Sequence, residues 1–337
     1  MSALTHVSAK GPLLVIMPRF LGDSVTATAA IRMLRQLYPD EQIFLLARPH
    51  VAGLFADEAV AGCKIILDER FTAKRRSLLS VALSLKPYRF AQVYHCRNSF
   101  ADALLCKLAG VRHQIGYAKN GRTPLLTQAV KLDPNYHYQY RYCHLVNVAH
   151  GQPFSQMPTV QLHAGKTPLP SPKLCKVAVY FGGQYKLDRH YPYELACQAL
   201  RQLADLHSCH FVLLGDQQEV ADNAKLADYL HSQELEVSDL TSKTTVPELV
   251  RTINSCDLLL TIDSGQLHIA AALKVPYVAV VGFGTSPWSC VEPKVTHGIH
   301  LTVNSLTLNL TTQITEIHPQ SIAAAADQLL QRRATSA

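Results

Sequence analysis

TIDSGQLHIAAALKVP, residues 261–276, starts as the tail of an apolar run, DLLLTI (257–262), and breaks at Asp263-Ser264-Gly265. It then resumes with helical spacing that carries His268 one turn in. An apolar run that ends on polar residues and passes straight into a helix is the βα step of a parallel sheet. Ligands collect where such strands end, because the free N–H groups and the dipole of the following helix attract anions. Gly265 lets a ligand approach the backbone and Ser264 can donate to a phosphate. Asp263 repels phosphate and suits orienting amides or a sugar hydroxyl. The same residues also fit a helix cap followed by a core histidine, so other loops must decide between the two.

Two further loops stand at the same kind of place. FGGQYKLDRHYP (181–192) follows the apolar run KVAVYF (176–181). There Gly182 and Gly183 can bring backbone close to a ligand, and Lys186 or Arg189 can neutralise a diphosphate. LLGDQQE (213–219) places Glu219 just past the run CHFVLLG (209–215). Three strand-end loops at one sheet edge imply one ligand.

The alternation extends both ways. After 176 it continues through helical stretches near 192–207, 217–231, 246–255 and 264–273 to PYVAVVG (276–282). Ahead of it, PLLVIM (12–17), QIFLLA (42–47), KIIL (64–67) and FAQVYH (90–95) alternate with helical stretches at 23–38, near 74–86 and at 98–110. This spacing predicts two Rossmann-like α/β halves with parallel sheets and a cleft between them. Five prolines between 153 and 172 mark a linker. The expected organisation is an N-terminal domain at 1–152, a linker at 153–175, a C-terminal domain at 176–320, and a final helical segment at 321–337 that can pack back across the junction.

With 337 residues, 48% of them hydrophobic, the chain can bury a large core. No apolar run approaches the length of a membrane span, and the N-terminus lacks a signal-peptide pattern, so a cytoplasmic location is expected. The nine cysteines are scattered, with no Cys-x-x-Cys pair, and read as reduced core thiols. The formal charge of +7 is uneven: residues 1–150 hold 19 Lys/Arg against 9 Asp/Glu, residues 151–337 hold 13 against 16. The first half should face something anionic. On charge alone, nucleic acid, a phosphorylated lipid surface, an acidic sugar and a basic surface of no consequence all remain open.

The N-terminal counterpart of the 261–276 stretch is MPRFLGDSVTATAAIRML (17–34), where Gly22 permits a tight turn and Asp23 is either a helix cap or a base facing a ligand. Gly-x-Gly-x-x-Gly, Walker A and His-Glu-x-x-His patterns are absent, which disfavours dinucleotide, P-loop and zinc-protease chemistry. Asp-x-Asp is absent too, so a metal-bridged nucleotide sugar is not supported.

Taken together, these stretches resemble glycosyltransferase family 9, the ADP-heptose:lipopolysaccharide heptosyltransferases. PRFLGDSVTATAAIRMLRQLYP (18–39) is similar to the family's N-terminal Gly-Asp motif, and CRNSFADALLCKLAGVRHQIGY (96–117) to its Arg-Asn-Ser and Gly-Tyr segment. HYQYRYCHLV (137–146) looks like its helix ahead of the linker, and TIDSGQLHIAAALKVPYVAVVGFGTSP (261–287) like its Asp-[Ser/Thr]-Gly-x-x-His donor signature. Arg189 falls where the family commonly has a lysine before an aromatic-proline pair, and both Arg189 and Tyr191 are departures from that pattern. Thr28-Ala29-Ala30 lacks a common proline, and Gly-Phe-Gly-Thr-Ser-Pro, carrying Thr285, replaces a commoner Gly-Pro-Thr. The resemblance implies a GT-B fold of two Rossmann-like domains. It implies inverting transfer of heptose from ADP-heptose to the inner core of lipopolysaccharide, with Asp23 as general base and neither metal nor cofactor. Gly182, Gly183, Lys186, Arg189, Glu219, Asp263, Ser264, Gly265, His268 and Thr285 fall on the donor side, and Arg19, Gly22, Arg97 and Asn98 on the acceptor side. The implied partners are a nucleotide sugar and an anionic Kdo–lipid A type acceptor at the inner face of the cytoplasmic membrane, where the protein would sit peripherally; nucleic acid is not among them. Another nucleotide sugar or acceptor, or a catalytically silent nucleotide-binding role, are the competing readings.

Overall fold

The computed structural model describes residues 10–57, 60–165, 174–182, 189–282, 286–303 and 313–334. The chain divides into two compact units, residues 1–163 and 164–337.

In the first unit the strands are β1 (Leu13–Ile16), β2 (Ile43–Ala47), β3 (Lys64–Leu67), β4 (Gln92–His95), β5 (His113–Tyr117) and β6 (Gln128–Val130). They lie in the order β3-β2-β1-β4-β5-β6, every neighbouring pair parallel. The helices are α1 (Leu21–Thr26), α2 (Thr28–Leu37), α3 (Pro49–Ala52), α4 (Leu78–Leu85), α5 (Phe100–Leu108) and α6 (Tyr138–Ala149). Both faces of a parallel sheet must be covered, so its central strands read as unbroken apolar runs rather than alternating ones. LLVI of β1 and IFLLA of β2 are buried at every position. On one face Val81, Ala82 and Leu85 of α4 and Leu105 and Cys106 of α5 pack on Leu14, Ile16, Phe44, Leu46 and Val93.

The second unit repeats the plan. Its strands are β7 (Cys175–Tyr180), β8 (Cys209–Leu213), β9 (Glu236–Asp239), β10 (Leu258–Ile262), β11 (Tyr277–Val281) and β12 (Gly298–Thr302), in the order β12-β11-β10-β7-β8-β9, again all parallel. Its helices are α7 (Tyr193–Leu206), α8 (Val220–Ser232), α9 (Val246–Asn254), α10 (Gly265–Leu273), α11 (Trp288–Val291) and α12 (Pro319–Ala334). Counted within each unit, both sheets run 3-2-1-4-5-6. The order reverses between β1 and β4 in the first and between β7 and β10 in the second, the points where a doubly wound sheet opens a crevice.

The first part of the span read as a linker is tied to the first unit. Asn147 brackets Phe154 through both backbone groups, at 2.9 and 3.0 Å, Gln139 donates to the Pro158 carbonyl at 2.7 Å, and Arg32 donates to the Thr159 carbonyl at 2.8 Å. The compact unit extends to residue 163. The C-terminal helix α12 packs along α7 and onto β10, β11 and β12 of its own unit, with Asp327 accepting from the His207 ring at 2.9 Å.

Tyr191, one of the departures noted above, is wholly buried against Phe181 and donates its hydroxyl to the Ile317 carbonyl at 2.7 Å. It joins the loop after β7 to the segment that leads into α12. Tyr191→Phe leaves that carbonyl buried without its partner. It should therefore lower stability by about 1–3 kcal/mol, read as a lower urea midpoint at unchanged slope.

Candidate functional site

In the second unit the three loops chosen from sequence sit at the carboxyl edge of β7, β8 and β10, across the reversal point. Ser264 is the N-cap of α10, its hydroxyl accepting from the Leu267 N–H at 3.4 Å and pairing with the Thr261 hydroxyl at 3.0 Å. Asp263 is not the cap. Its carbonyl accepts from Arg189 Nη2, and its carboxylate lies 3.4 Å from the same nitrogen. Burial pushes the Asp263 carboxyl above its ordinary range, and the Arg189 charge opposes that shift. Arg189 Nε is buried with no hydrogen-bond partner among the described residues. His268 is half-buried, one turn into α10.

Gly182 and Glu219 form one packed feature. A Cβ on Gly182 would lie 2.3 Å from Glu219 Cγ, and one on Gly215 would lie 2.9 Å from Glu219 Cβ. Two glycines thus let the 1% exposed Glu219 side chain pass between the ends of β7 and β8, where its Oε2 accepts from the Asp216 N–H at 2.7 Å. Tyr180, last residue of β7, ties the edge together. Burial, then the charges of Glu219 and Asp216, raise its hydroxyl's pKa, while Arg189 and a hydrogen bond with Gln266 oppose the rise. The loop after β7, the turn after β8 and the start of α10 therefore share one small region. It offers a guanidinium, a helix amino terminus and a carboxylate able to accept from hydroxyls. Gly183, Lys186 and Thr285 lie outside the described residues.

In the first unit Asp23 sits in the first turn of α1, behind β1. Phe20 holds the N-cap position in extended conformation, so Asp23 is not the cap. It is half-buried, and its charge is the second cause, after burial, that raises the pKa of the buried Tyr142 hydroxyl on α6. Gly22 precedes it, its carbonyl accepting from the Thr26 hydroxyl at 2.8 Å. Arg19 is exposed, with its guanidinium 4.3 Å from the Phe20 ring.

Arg97 leaves β4 into a buried ionic network. It donates to both oxygens of Asp102, at 2.6 and 2.8 Å, and reaches Asp68 at 3.4 Å. Arg70 donates to Asp68 at 2.8 and 2.7 Å and to Asp102 at 2.6 Å. Asn98 accepts through its side-chain oxygen from Arg122 at 2.7 Å. Arg122 is itself wholly buried, its other donors on the carbonyls of Tyr117 at 3.0 Å and Arg97 at 2.6 Å, and burial pulls its pKa down to about 10. Arg48, first residue past β2, stacks 3.8 Å from the Phe71 ring centre and has a buried Nε with no partner among the described residues. Burial, then repulsion from Arg97 and Arg19, lowers its pKa. Among the described residues this edge holds five guanidiniums (19, 48, 70, 97, 122) against the carboxylates of Asp23, Asp68 and Asp102, an excess that makes it a place for an anion.

The family model described as Glycosyltransferase family 9 (heptosyltransferase) matches residues 78–300. The chain is a member of glycosyltransferase family 9. It is therefore a glycosyltransferase. Among its relatives, the lipopolysaccharide heptosyltransferase 2 of Escherichia coli K12 is 26% identical over 290 residues, covering 80% of this chain and 82% of that protein. The lipooligosaccharide heptosyltransferase 2 of Campylobacter jejuni is 24% identical over 297 residues, covering 85% and 86%. Among solved structures, E. coli ADP-heptose LPS heptosyltransferase II superposes with a TM-score of 0.84 at 22% identity, over 96% of this chain and 99% of that one. The family 9 glycosyltransferase of Veillonella parvula gives 0.81 at 16% identity, over 96% and 98%. The fold class is GT-B, as anticipated.

Sequence reasoning passed over Arg48, Arg70, Arg122, Asp68 and Asp102 of this family 9 chain. Arg48 and Asp68 had a visible signal, since each is the first polar residue after an apolar run. Arg122, in a polar loop, had none. Asp102 ties stability to pH. Burial disfavours its charge, but Arg97 and Arg70 more than offset that and hold its carboxyl below the ordinary range. Its stabilising effect is present above the unfolded carboxylate value, about 4, and is lost as pH falls through the lower folded one. Denaturant titrations should show stability dropping below about pH 4. Asp102→Asn should flatten that limb while costing about 3–5 kcal/mol at neutral pH, because two arginines lose their shared partner.

Proposed function

We propose that this protein transfers heptose from ADP-heptose to the inner core of lipopolysaccharide, inverting the anomeric centre, with Asp23 as general base and no metal ion. The observation that carries the reading is Arg189. One of its nitrogens is committed to Asp263, and its buried Nε–H is left with no acceptor among the described residues, beside the start of α10. A buried donor without an acceptor costs about 1–3 kcal/mol, and a diphosphate oxygen placed there would satisfy it. The heptosyltransferase names of the relatives supply the sugar and the acceptor class.

In this mechanism the acceptor hydroxyl gives its proton to the Asp23 carboxylate as its oxygen bonds to the anomeric carbon. The bond from that carbon to the diphosphate breaks, and ADP leaves carrying the electron pair. Charge building on the departing phosphate is met by Arg189, by the amino terminus of α10 behind Ser264 and by His268. Glu219 accepts from ribose hydroxyls. The excess of guanidiniums around Phe71 holds an anionic group of the acceptor, as Kdo carboxylates and lipid A phosphates are. The enzyme works peripherally at the inner face of the cytoplasmic membrane. Among the described residues no helix is long and apolar enough to cross a membrane.

Transfer from ADP-heptose to core acceptors with and without a first heptose tests the substrates, and Asp23→Asn tests the base. Because Asp23 is not the cap, Asn should change stability by less than about 1 kcal/mol. Positioned bases contribute about 10²–10⁴-fold, so turnover should fall on that scale while ADP affinity stays at the wild-type level. Near-normal turnover in Asp23→Asn would reject the base, and absence of transfer from ADP-heptose by the wild type would reject the donor.

A further inference from the structure

Helices α4 and α5 lie side by side over the same face of the first sheet, and each buries one side in the shared core. Their outer sides are apolar as well. On α4, Leu79 and Leu83, four residues apart, are 55% and 56% exposed. On α5, Phe100 and Leu108, eight residues apart, are 48% and 42% exposed, with half-buried Leu104 midway between them. Spacing of four and eight puts each set on one helix face. Together they form an uncovered apolar surface on a unit whose core is already complete.

Cations surround this surface. Lys74, Arg75 and Arg76 precede α4, the last of them paired with Glu69, Lys86 and Arg89 follow it, Lys107 lies on the outer side of α5, and all six are exposed. Residues 70–132 contain twelve Lys/Arg and a single acid, Asp102, which is buried between Arg70 and Arg97. Leucines and a phenylalanine set among lysines and arginines match a helix surface lying in the headgroup layer of an anionic bilayer. A protein partner facing the same surface would need acids to match this charge.

We infer that the outer face of α4 and α5 docks the protein on a bilayer with anionic headgroups. The inference rests on the proposed lipid-linked acceptor and adds where the membrane meets the chain. The placement suits that acceptor: α4 begins after the Glu69–Phe71 turn and α5 directly after Arg97-Asn98, so the docking face adjoins the guanidinium-rich edge. A headgroup-borne anion can enter that edge while its acyl chains stay in the bilayer.

The test is flotation of the full-length protein with vesicles of equal parts phosphatidylglycerol and phosphatidylethanolamine, and with phosphatidylcholine vesicles. The wild type should bind the anionic vesicles, more weakly as salt rises, and leave phosphatidylcholine unbound. Leu79→Ser/Leu83→Ser/Leu108→Ser should lose at least about tenfold in vesicle affinity, with an unchanged melting temperature and unchanged turnover on an acyl-free, water-soluble acceptor. Lys74→Ala/Arg75→Ala, which leaves the apolar face intact, should lose about fivefold per cation. Wild-type partition in the leucine variant, equal binding to both vesicle types, or a leucine-dependent dimer without lipid binding would overturn the docking surface. Leucine-dependent vesicle binding in a protein that transfers no heptose would leave the surface standing and remove the substrate reading instead.

Discussion

A parallel sheet brings the carboxyl end of every strand to one edge, and with helices on both faces that edge is where a ligand can reach the backbone. Both units obey this constraint with the same strand order. Residues far apart in sequence are gathered by it: Gly182, Glu219 and Gln266 follow three strands and meet around Tyr180, and Arg48, Asp68 and Arg97 leave three others and meet around Phe71. The central strands are apolar ribbons; what differs between the units is the residue that follows each.

The two edges handle charge differently. At its carboxyl edge the second unit pairs Arg189 with Asp263, and the burial that raises the Asp263 pKa makes a free carboxylate there unfavourable, which keeps the spot receptive to a cation or a hydroxyl. The first unit cross-links two buried carboxylates with two arginines, so that the acids are fully used and the remaining guanidiniums carry the net sign. An edge built this way is attractive to anions without leaving an isolated charge in its core.

How much of this the sequence discloses follows from burial. β1, β2 and β11 are apolar along their length, β10 but for Thr261 and β8 but for His210, and all are readable at once. β9, with the sequence EVSD, and β12, GIHLT, are edge strands with exposed positions, β5, HQIGY, is interrupted by polar residues and glycine, and β6, QAV, is three residues long; none carries the apolar signal of a central strand. The helix expected at 23–38 begins at Leu21 and runs on through helical Ala27, around which the Ser24, Thr26 and Thr28 hydroxyls bond back to the carbonyls of the preceding turn. Strand-end loops gave away Asp263, Ser264 and Glu219. The pairing of Gly182 with Glu219 was hidden, because a glycine's need for space is a property of what approaches it. Arg97 and Asn98 stood out as a motif, but their bonding to Asp102 and Arg122 is set by tertiary contacts that no local pattern encodes.

Arg122 gives the first unit a further property. One dehydrated guanidinium holds the Tyr117 carbonyl, the Arg97 carbonyl and the Asn98 side chain, and Gly116 leaves room for it, since a Cβ there would come within 3.0 Å of Nη2. Releasing any one of these acceptors leaves a buried charge short of partners, and it regains them most easily by moving into water. The ends of β4 and β5 are thereby coupled: neither opens alone, and backbone amides near Arg97, Tyr117 and Arg122 belong to one cooperative unit of local unfolding. The rim that would receive an acceptor is thus held at the stability of the sheet beneath it rather than at that of an ordinary surface loop.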